Sequence, residues 1–290
     1  MIKALIKTMR PRQWTKYGFI FFGLIFDKQL FMAEPFLRAT AGFFLFCLMS
    51  SAVYLFNDIA DVEADRNHPE KKSRPVASGE LPIRVASTVA MLLAFLTILL
   101  GYLLSPLFAV ILATYLVLNL LYSRWLKHVA ILDVLIISTG FVLRVAAGVV
   151  LIAPVERFSP WLYMLTILFS LYIGLGKRRA EMNLLAQGAS AHRKVFDGYT
   201  IPLLDQYITI VSGMTIVAYS LYTFSAPNLP ESHTMMLTIP FVVYGIFRYL
   251  QLIQVGHAAG APDEVALKDR PLQITVLLWG LTVIAIFYLS

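Results

Sequence analysis

Residues 57–79 read NDIADVEADRNHPEKKSRPVASG. Five acids, four Lys or Arg and two prolines crowd into this stretch, between two long apolar runs. That contrast decides the fold. The chain of 290 residues is 59% apolar and 14% charged, whereas a soluble domain carries roughly a quarter charged residues. Apolar runs of about 17–25 residues recur, each long enough to cross a hydrocarbon core of about 30 Å. A backbone in lipid must satisfy its own hydrogen bonds, and alternating ten-residue barrel strands are absent from the sequence, so the spans read as helices.

The reading is a single all-α integral membrane domain over residues 1–290. Nine spans are expected, at about 15–31, 36–56, 83–103, 105–122, 131–152, 160–176, 203–224, 236–254 and 271–289. The basic N-terminus, MIKALIKTMRPRQWTKYG, lacks the apolar run and small-residue site of a cleavable leader, so none is expected. The single cysteine, Cys47, excludes an internal disulfide and reads as a core residue.

Orientation follows from the cations. On this span assignment 19 of the 24 Lys and Arg fall on one side, in the N-terminal segment and the loops after spans 2, 4, 6 and 8. Lys28, Arg38 and Arg157 fall on the other, and Arg144 and Arg248 lie within spans. The bias puts the charged loops and the N-terminus in the cytoplasm. It also accounts for a net charge of +7 without nucleic acid. Acids do little for orientation, yet Asp58, Asp61, Glu63, Asp65, Glu181, Asp197, Asp205, Asp263, Glu264 and Asp269 gather near the same face. They need another cause.

Asp58, Asp61 and Asp65 are spaced i, i+3, i+7. If the second span continues through them, they project from one helical face. Three close carboxylates repel one another unless a cation joins them. Oxygen ligands of this kind suit Mg²⁺, which is usually held by one or two carboxylates with water and substrate phosphates. Asn57 adds a neutral oxygen or a donor to phosphate. Lys71, Lys72 and Arg74 follow at once, and an acidic face beside a basic strip suits a diphosphate. Pro69 and Pro75 stiffen the turn. The competing reading is a solvated loop neutralised by its own ion pairs.

NDIADVEADR resembles the Asp-rich signature of the UbiA superfamily of intramembrane prenyltransferases. YSRWLKHVAILDVLIISTGFVLRVAAG, after span 4, is similar to that family as well. The resemblance implies nine transmembrane helices around a central cavity opening to the cytoplasmic face, Mg²⁺ as cofactor and a diphosphate leaving group. One departure stands out. The loop after span 6, GLGKRRAEMNLLAQGASAHRKVFDGYTIPLLDQY, lacks the second D-x-x-x-D of typical aromatic prenyltransferases. Lys177, Arg178 and Glu181 stand there instead, and a basic cluster contacts phosphate directly rather than through metal.

With H-P-x-K-x-x-R-P in the first loop, GKRRAE at the span 6 exit and GAPDEVALKDRPLQ before the last span, the chain resembles one branch, the decaprenyl-phosphate phosphoribosyltransferases of arabinan precursor synthesis. The resemblance implies transfer of 5-phosphoribosyl from phosphoribosyl pyrophosphate to a polyprenyl phosphate in the lipid bilayer, with release of pyrophosphate. Such an enzyme sits in a bacterial-type inner membrane as a multi-pass protein, needs no nucleic acid and is compatible with a homo-oligomer. The acceptor phosphate is already a nucleophile, so no strong general base is needed, and positioning with leaving-group stabilisation suffices.

The expected metal ligands are Asn57, Asp58, Asp61 and Asp65. Lys71, Lys72 and Arg74 are expected on donor phosphates, and Lys177 and Arg178 on phosphate, with Glu181 orienting one of them or a ribose hydroxyl. Lys16, beside Arg12, is expected near the acceptor phosphate, though simple interfacial anchoring explains it equally. Tyr122 closes span 4 beside the substrate. Arg144, a charge inside the membrane, needs a polar cavity or a partner, and Asp133, eleven residues earlier, can be that partner only if the helix bends. Two other functions compete. Prenylation of an aromatic acceptor predicts a second acidic metal cluster. A transporter predicts internal repeats and helices broken at mid-membrane, and the sequence shows no convincing repeat.

Overall fold

The computed structural model describes residues 1–68, 71–152, 159–186, 194–255 and 268–289. Pro69, Arg157, His192, Arg193, Asp263, Glu264 and most of GAPDEVALKDRPLQ therefore lie outside the described residues. Every regular element among the described residues is helical. Two compact units divide the chain: residues 1–127 with 143–157, and residues 128–142 with 158–290.

The first unit is built around α3 (Ala33–Ala60), 28 residues or about 42 Å of helix. α3 is the most buried of the spans, because neighbours cover it on several sides. α1 (Ile2–Met9), a 3₁₀ segment (Pro11–Phe21), α5 (Ile83–Leu104) and α6 (Pro106–Arg124) all pack on it. Phe46, Met49, Ala52, Phe108, Leu112 and Leu151 make the core. α2 (Phe22–Phe26) and α4 (Val62–Arg66) are short pieces flanking α3. The turn from α5 to α6 is set by Ser105 in extended geometry and Pro106 at the first helical position. A glycine allows the tightest approach in this unit. A side chain at Gly148 would strike the Ile20 carbonyl, so the 3₁₀ segment lies backbone against helix there.

The second unit holds α8 (Pro160–Ala186), α9 (Ile201–Ser225), α10 (Ile239–Gln254) and α11 (Arg270–Leu289). Val134, Tyr172, Leu204, Ile208 and Tyr249 form its core. α7 (Leu132–Ile152) belongs to both units, residues 132–142 to this one and 143–152 to the first.

Seven described helices are long and apolar enough to cross a membrane. They correspond to seven of the nine expected spans, and the other two differ for identifiable reasons. Around the first, the chain runs as an eleven-residue 3₁₀ segment followed by the five residues of α2. Long 3₁₀ runs are uncommon; here Pro11 starts the run, Gly18 lies within it, and Trp14 and Tyr17 tie it to α3. Around the sixth, α8 runs 27 residues as one helix, ten beyond the expected exit, and carries Lys177, Arg178, Arg179 and Glu181. The protein is a multi-pass, all-helical membrane chain.

Candidate active site

The 57–66 stretch is not one continuous helix. α3 stops at Ala60, Asp61 leaves helical geometry at φ −94°, ψ 8°, and α4 resumes at Val62. Backbone bonds still bridge the joint, from the Asp61 N–H to Asn57 O (2.9 Å) and the Asp65 N–H to Asp61 O (2.8 Å). Asp58 and Asp65 consequently keep a common side while Asp61 turns away. Arg74 Nη1 donates to Asp65 Oδ2 at 2.7 Å and to Asp58 Oδ1 at 3.3 Å. Asp61, partly exposed, accepts from Lys127 Nζ at 3.1 and 3.4 Å. The single three-carboxylate face expected from i, i+3, i+7 is therefore resolved into a pair and a separate member.

Arg10 completes the set. It closes α1 in left-handed geometry (φ 53°, ψ 57°), which turns its side chain back to α3. Its Nη2 donates to Asp58 Oδ1 at 2.7 Å, and its guanidinium lies 4.7 Å from the Tyr54 ring centre, one helical turn before Asp58. The side chains of Asp58 and Asp65 are 3% and 4% exposed, those of Arg10 and Arg74 32% and 29%. Buried carboxylates are thus capped by cations that reach water. One residue before Asp58, the Asn57 Oδ1 is buried and accepts no hydrogen bond.

This donor set bears on Mg²⁺. Among the described residues no three or more His, Cys, Asp or Glu converge as a metal cage. Mg²⁺ does not require one, since one or two carboxylates with phosphate and water suffice. Asp58 and Asp65, both on one arginine, are hard oxygen donors and fit that pattern, and Asn57 offers an unsatisfied amide oxygen one residue before Asp58.

The other expected site residues of the first unit lie at or near the surface, apart from Arg144. Lys72 is exposed and Lys71 half-buried, its N–H meeting His68 Nδ1 at 3.4 Å. Lys16 and Tyr122 are both half-buried. Arg144 is buried, but Asp133 is not its partner. Arg144 stacks on Tyr17 (4.8 Å to the ring centre) and donates to the Tyr115 hydroxyl at 3.3 Å. Tyr17 in turn hydrogen-bonds Ser50, and Trp14 Nε1 donates to Ser51 Oγ at 3.3 Å. These bonds pin the 3₁₀ segment to α3.

The second unit uses its charges differently. Asp133 is fully buried and accepts from Arg178 Nε at 2.5 Å and from the Tyr199 hydroxyl at 2.7 Å. That hydroxyl also accepts the N–H of Ile131, which sits at φ 71°, at 2.7 Å. A β-branched residue there is strained, and the Tyr199 bond helps hold it. Burial, with the bond to Asp133, pushes the Tyr199 hydroxyl above its ordinary pKa. Arg178 Nη1 bonds Glu181 at 2.5 Å, and Arg179 binds Asp205 and the Ile253 carbonyl. Lys177, half-buried, precedes this pair of arginines. Arg248 holds Asp269 through two bonds (2.7 and 3.2 Å), which draws the Asp269 carboxyl below the usual carboxylate range. Asp269 also caps α11 through the Leu272 N–H at 2.9 Å.

Sequence reasoning expected Asp58, Asp61 and Asp65 on one face beside Lys71, Lys72 and Arg74; the structure brings Asp58, Asp65 and Arg74 together and places Asp61 on Lys127. Sequence reasoning missed Arg10 and Lys127, whose only signal was position: one precedes Pro11 at a helix end, the other follows the exit of α6.

A helical membrane chain with an Asn-Asp-rich α3 exit and a basic α8 exit defines a class. The chain belongs to the UbiA prenyltransferase family, whose model matches residues 18–263, and it is an enzyme of the transferase type. Among its relatives, a decaprenyl-phosphate phosphoribosyltransferase of Mycolicibacterium smegmatis is 36% identical, over 100% of this chain and 94% of that protein. One of Mycobacterium tuberculosis is 33% identical, over 98% and 94% respectively. In fold, the chain is similar to a UbiA homologue from Archaeoglobus fulgidus bound to DMAPP and Mg²⁺, with a TM-score of 0.73 over 99% of this chain and 100% of that one, at 15% identity.

Proposed function

We propose that the chain transfers 5-phosphoribosyl from phosphoribosyl pyrophosphate to a polyprenyl phosphate, decaprenyl phosphate in the relatives' case, releasing pyrophosphate. Full-length similarity to two enzymes of that name supports it. The observation that carries it against aromatic prenylation is the α8 exit. There Lys177, Arg178 and Arg179 stand in sequence, and Glu181 and Asp205 accept from these arginines rather than forming a second acidic metal group. With the acids there committed to arginine, a donor carrying a second phosphate matches Lys177 better than a second metal group does.

Asp58 and Asp65, with Asn57 and with Asp61 from the joint, are the residues that would hold Mg²⁺. When bound, the ion supplies charge neutralisation for the departing pyrophosphate. Arg74, Lys71 and Lys72 bind donor phosphates. Lys177 contacts phosphate directly, and Arg178 is positioned beside it by Asp133 and Glu181. Lys16 receives the acceptor phosphate, and Tyr122 and Arg144 line the substrate path. An oxygen of the acceptor phosphate attacks the anomeric carbon. The bond from that carbon to pyrophosphate breaks, and its electron pair leaves with the pyrophosphate. No proton has to move, so the chain's contribution is placement and electrostatics.

In this reading residues 1–290 act as one transferase domain of nine crossings, with residues 11–26 and Pro160–Ala186 supplying the two beyond the seven. The polar loops and the mouth of the central cavity face the cytoplasm of a bacterial-type inner membrane. Purified protein incubated with Mg²⁺, labelled phosphoribosyl pyrophosphate and decaprenyl phosphate is expected to yield labelled lipid. Turnover of a prenyl diphosphate with an aromatic acid, and no labelled lipid, would replace this reading.

A further inference from the structure

The function proposed above leaves Arg10 without a role, although it makes the shortest bond to Asp58. We propose that Arg10 is a phosphate ligand held in reserve: it caps Asp58 while no metal is bound, and moves to pyrophosphate when a divalent cation takes that carboxylate. The inference rests on the metal and diphosphate reading of this site and adds a coupling between the two ligands.

Charge balance leads to it. Asp58 and Asp65 face Arg10 and Arg74, two negative charges against two positive. A divalent cation arriving alone leaves two positive charges in excess and competes with the arginines for Asp58, whose Oδ1 both guanidiniums share. Pyrophosphate arriving alone meets carboxylates that already hold those arginines. Together the two ligands largely offset each other's charge, with metal on carboxylate and guanidinium on phosphate. Guanidinium suits the exchange, since its planar fork bonds carboxylate and phosphate alike.

Arg10 is placed to make the move. Its side chain is about a third exposed, while Asp58 is buried. Its stem leaves the chain at the left-handed joint between α1 and the 3₁₀ segment. The Tyr54 ring holds the guanidinium by a cation–π contact that does not depend on Asp58. Released from the carboxylate, Arg10 therefore stays beside the site. One residue before Asp58, Asn57 Oδ1 is buried with no hydrogen bond, an oxygen that a cation could take without displacing a partner.

The test is calorimetric, on the full chain in detergent or nanodiscs, with Mg²⁺ and inorganic pyrophosphate as probes. In the wild type, saturating pyrophosphate is expected to tighten Mg²⁺ binding at least about tenfold, and the reverse equally, because coupling between two ligands is reciprocal. In Arg10→Gln, Mg²⁺ alone should bind about tenfold tighter, since its competitor is gone. Pyrophosphate should bind about tenfold more weakly, the loss of one charge-assisted contact. Arg10→Lys, which keeps charge but not the fork, should fall between, and it serves as the readout if Arg10→Gln does not fold. Unchanged Mg²⁺ affinity in a folded Arg10 variant, or weaker Mg²⁺ binding, overturns the exchange and leaves Arg10 a structural tie. A wild type that binds neither probe defeats the proposed function itself, whereas independent binding of both defeats only the exchange.

Discussion

Asp58 and Asp133 are both buried carboxylates on membrane-spanning helices, and both are answered by arginine. The arginines differ. Those on Asp58 are about one-third exposed, whereas Arg178 on Asp133 is 5% exposed and also bound by Glu181. A cation that reaches water can trade its carboxylate for a phosphate at modest cost. One sealed between two acids cannot, because leaving would strand a charge in a medium that solvates it poorly. The first unit thus holds an exchangeable ion cluster, and the second holds a fixed one that orients the α8 exit.

Substitution of the fixed carboxylate breaks this contrast most severely. Asp133→Ala leaves buried Arg178 with Glu181 but without its Asp133 bond and frees Tyr199, and should cost up to about 3–5 kcal/mol of stability, read as a large drop in the thermal unfolding midpoint. Asp58→Ala should leave that midpoint nearly in place while lowering lipid product by at least about a hundredfold, as expected for loss of electrostatic stabilisation of a leaving group. A similar unfolding shift in both variants would erase the distinction between the two regions. Lys127→Ala removes a half-exposed pair with Asp61, which should cost under about 1 kcal/mol of stability. It should be read as a small shift in the thermal unfolding midpoint.

The smallest effect concerns pH. The Tyr199 pKa is raised on folding, so its contribution is complete below the unfolded value of about 10 and is lost as pH rises through the higher folded value. The Asp269 pKa is lowered, so its contribution is present above the unfolded value of about 4 and is lost as pH falls through the lower folded one. Neither window touches neutrality. From these two groups the unfolding midpoint should be flat between about pH 6 and 9, and a step there in the wild type that Tyr199→Phe abolishes would contradict the assignment.

Much of this was legible in the sequence. Span lengths, cation asymmetry and the i, i+7 spacing of Asp58 and Asp65 depend on local pattern, which a sequence displays. The joint at Asp61 was not legible, because the residues around it favour helix well enough and only the backbone geometry shows the break. Arg10 and Lys127 were hidden for another reason: each meets its aspartate across 48 or 66 residues of chain, and their local context resembles ordinary interfacial anchoring. Asp133, offered as a partner for Arg144 only if the helix bends, is instead met from α8 by Arg178, a contact across 45 residues that local sequence does not display.

The central claim is that the Asp58 carboxylate serves pyrophosphate departure through a divalent cation. Labelled-lipid formation measured in chelator, and then with Mg²⁺ restored, tests it directly in the wild type and in Asp58→Asn. The account predicts no product in chelator, full recovery of the wild type on adding Mg²⁺, and no recovery of Asp58→Asn at any Mg²⁺ concentration. Full wild-type turnover in chelator, or an Asp58→Asn enzyme as active as the wild type, would contradict it.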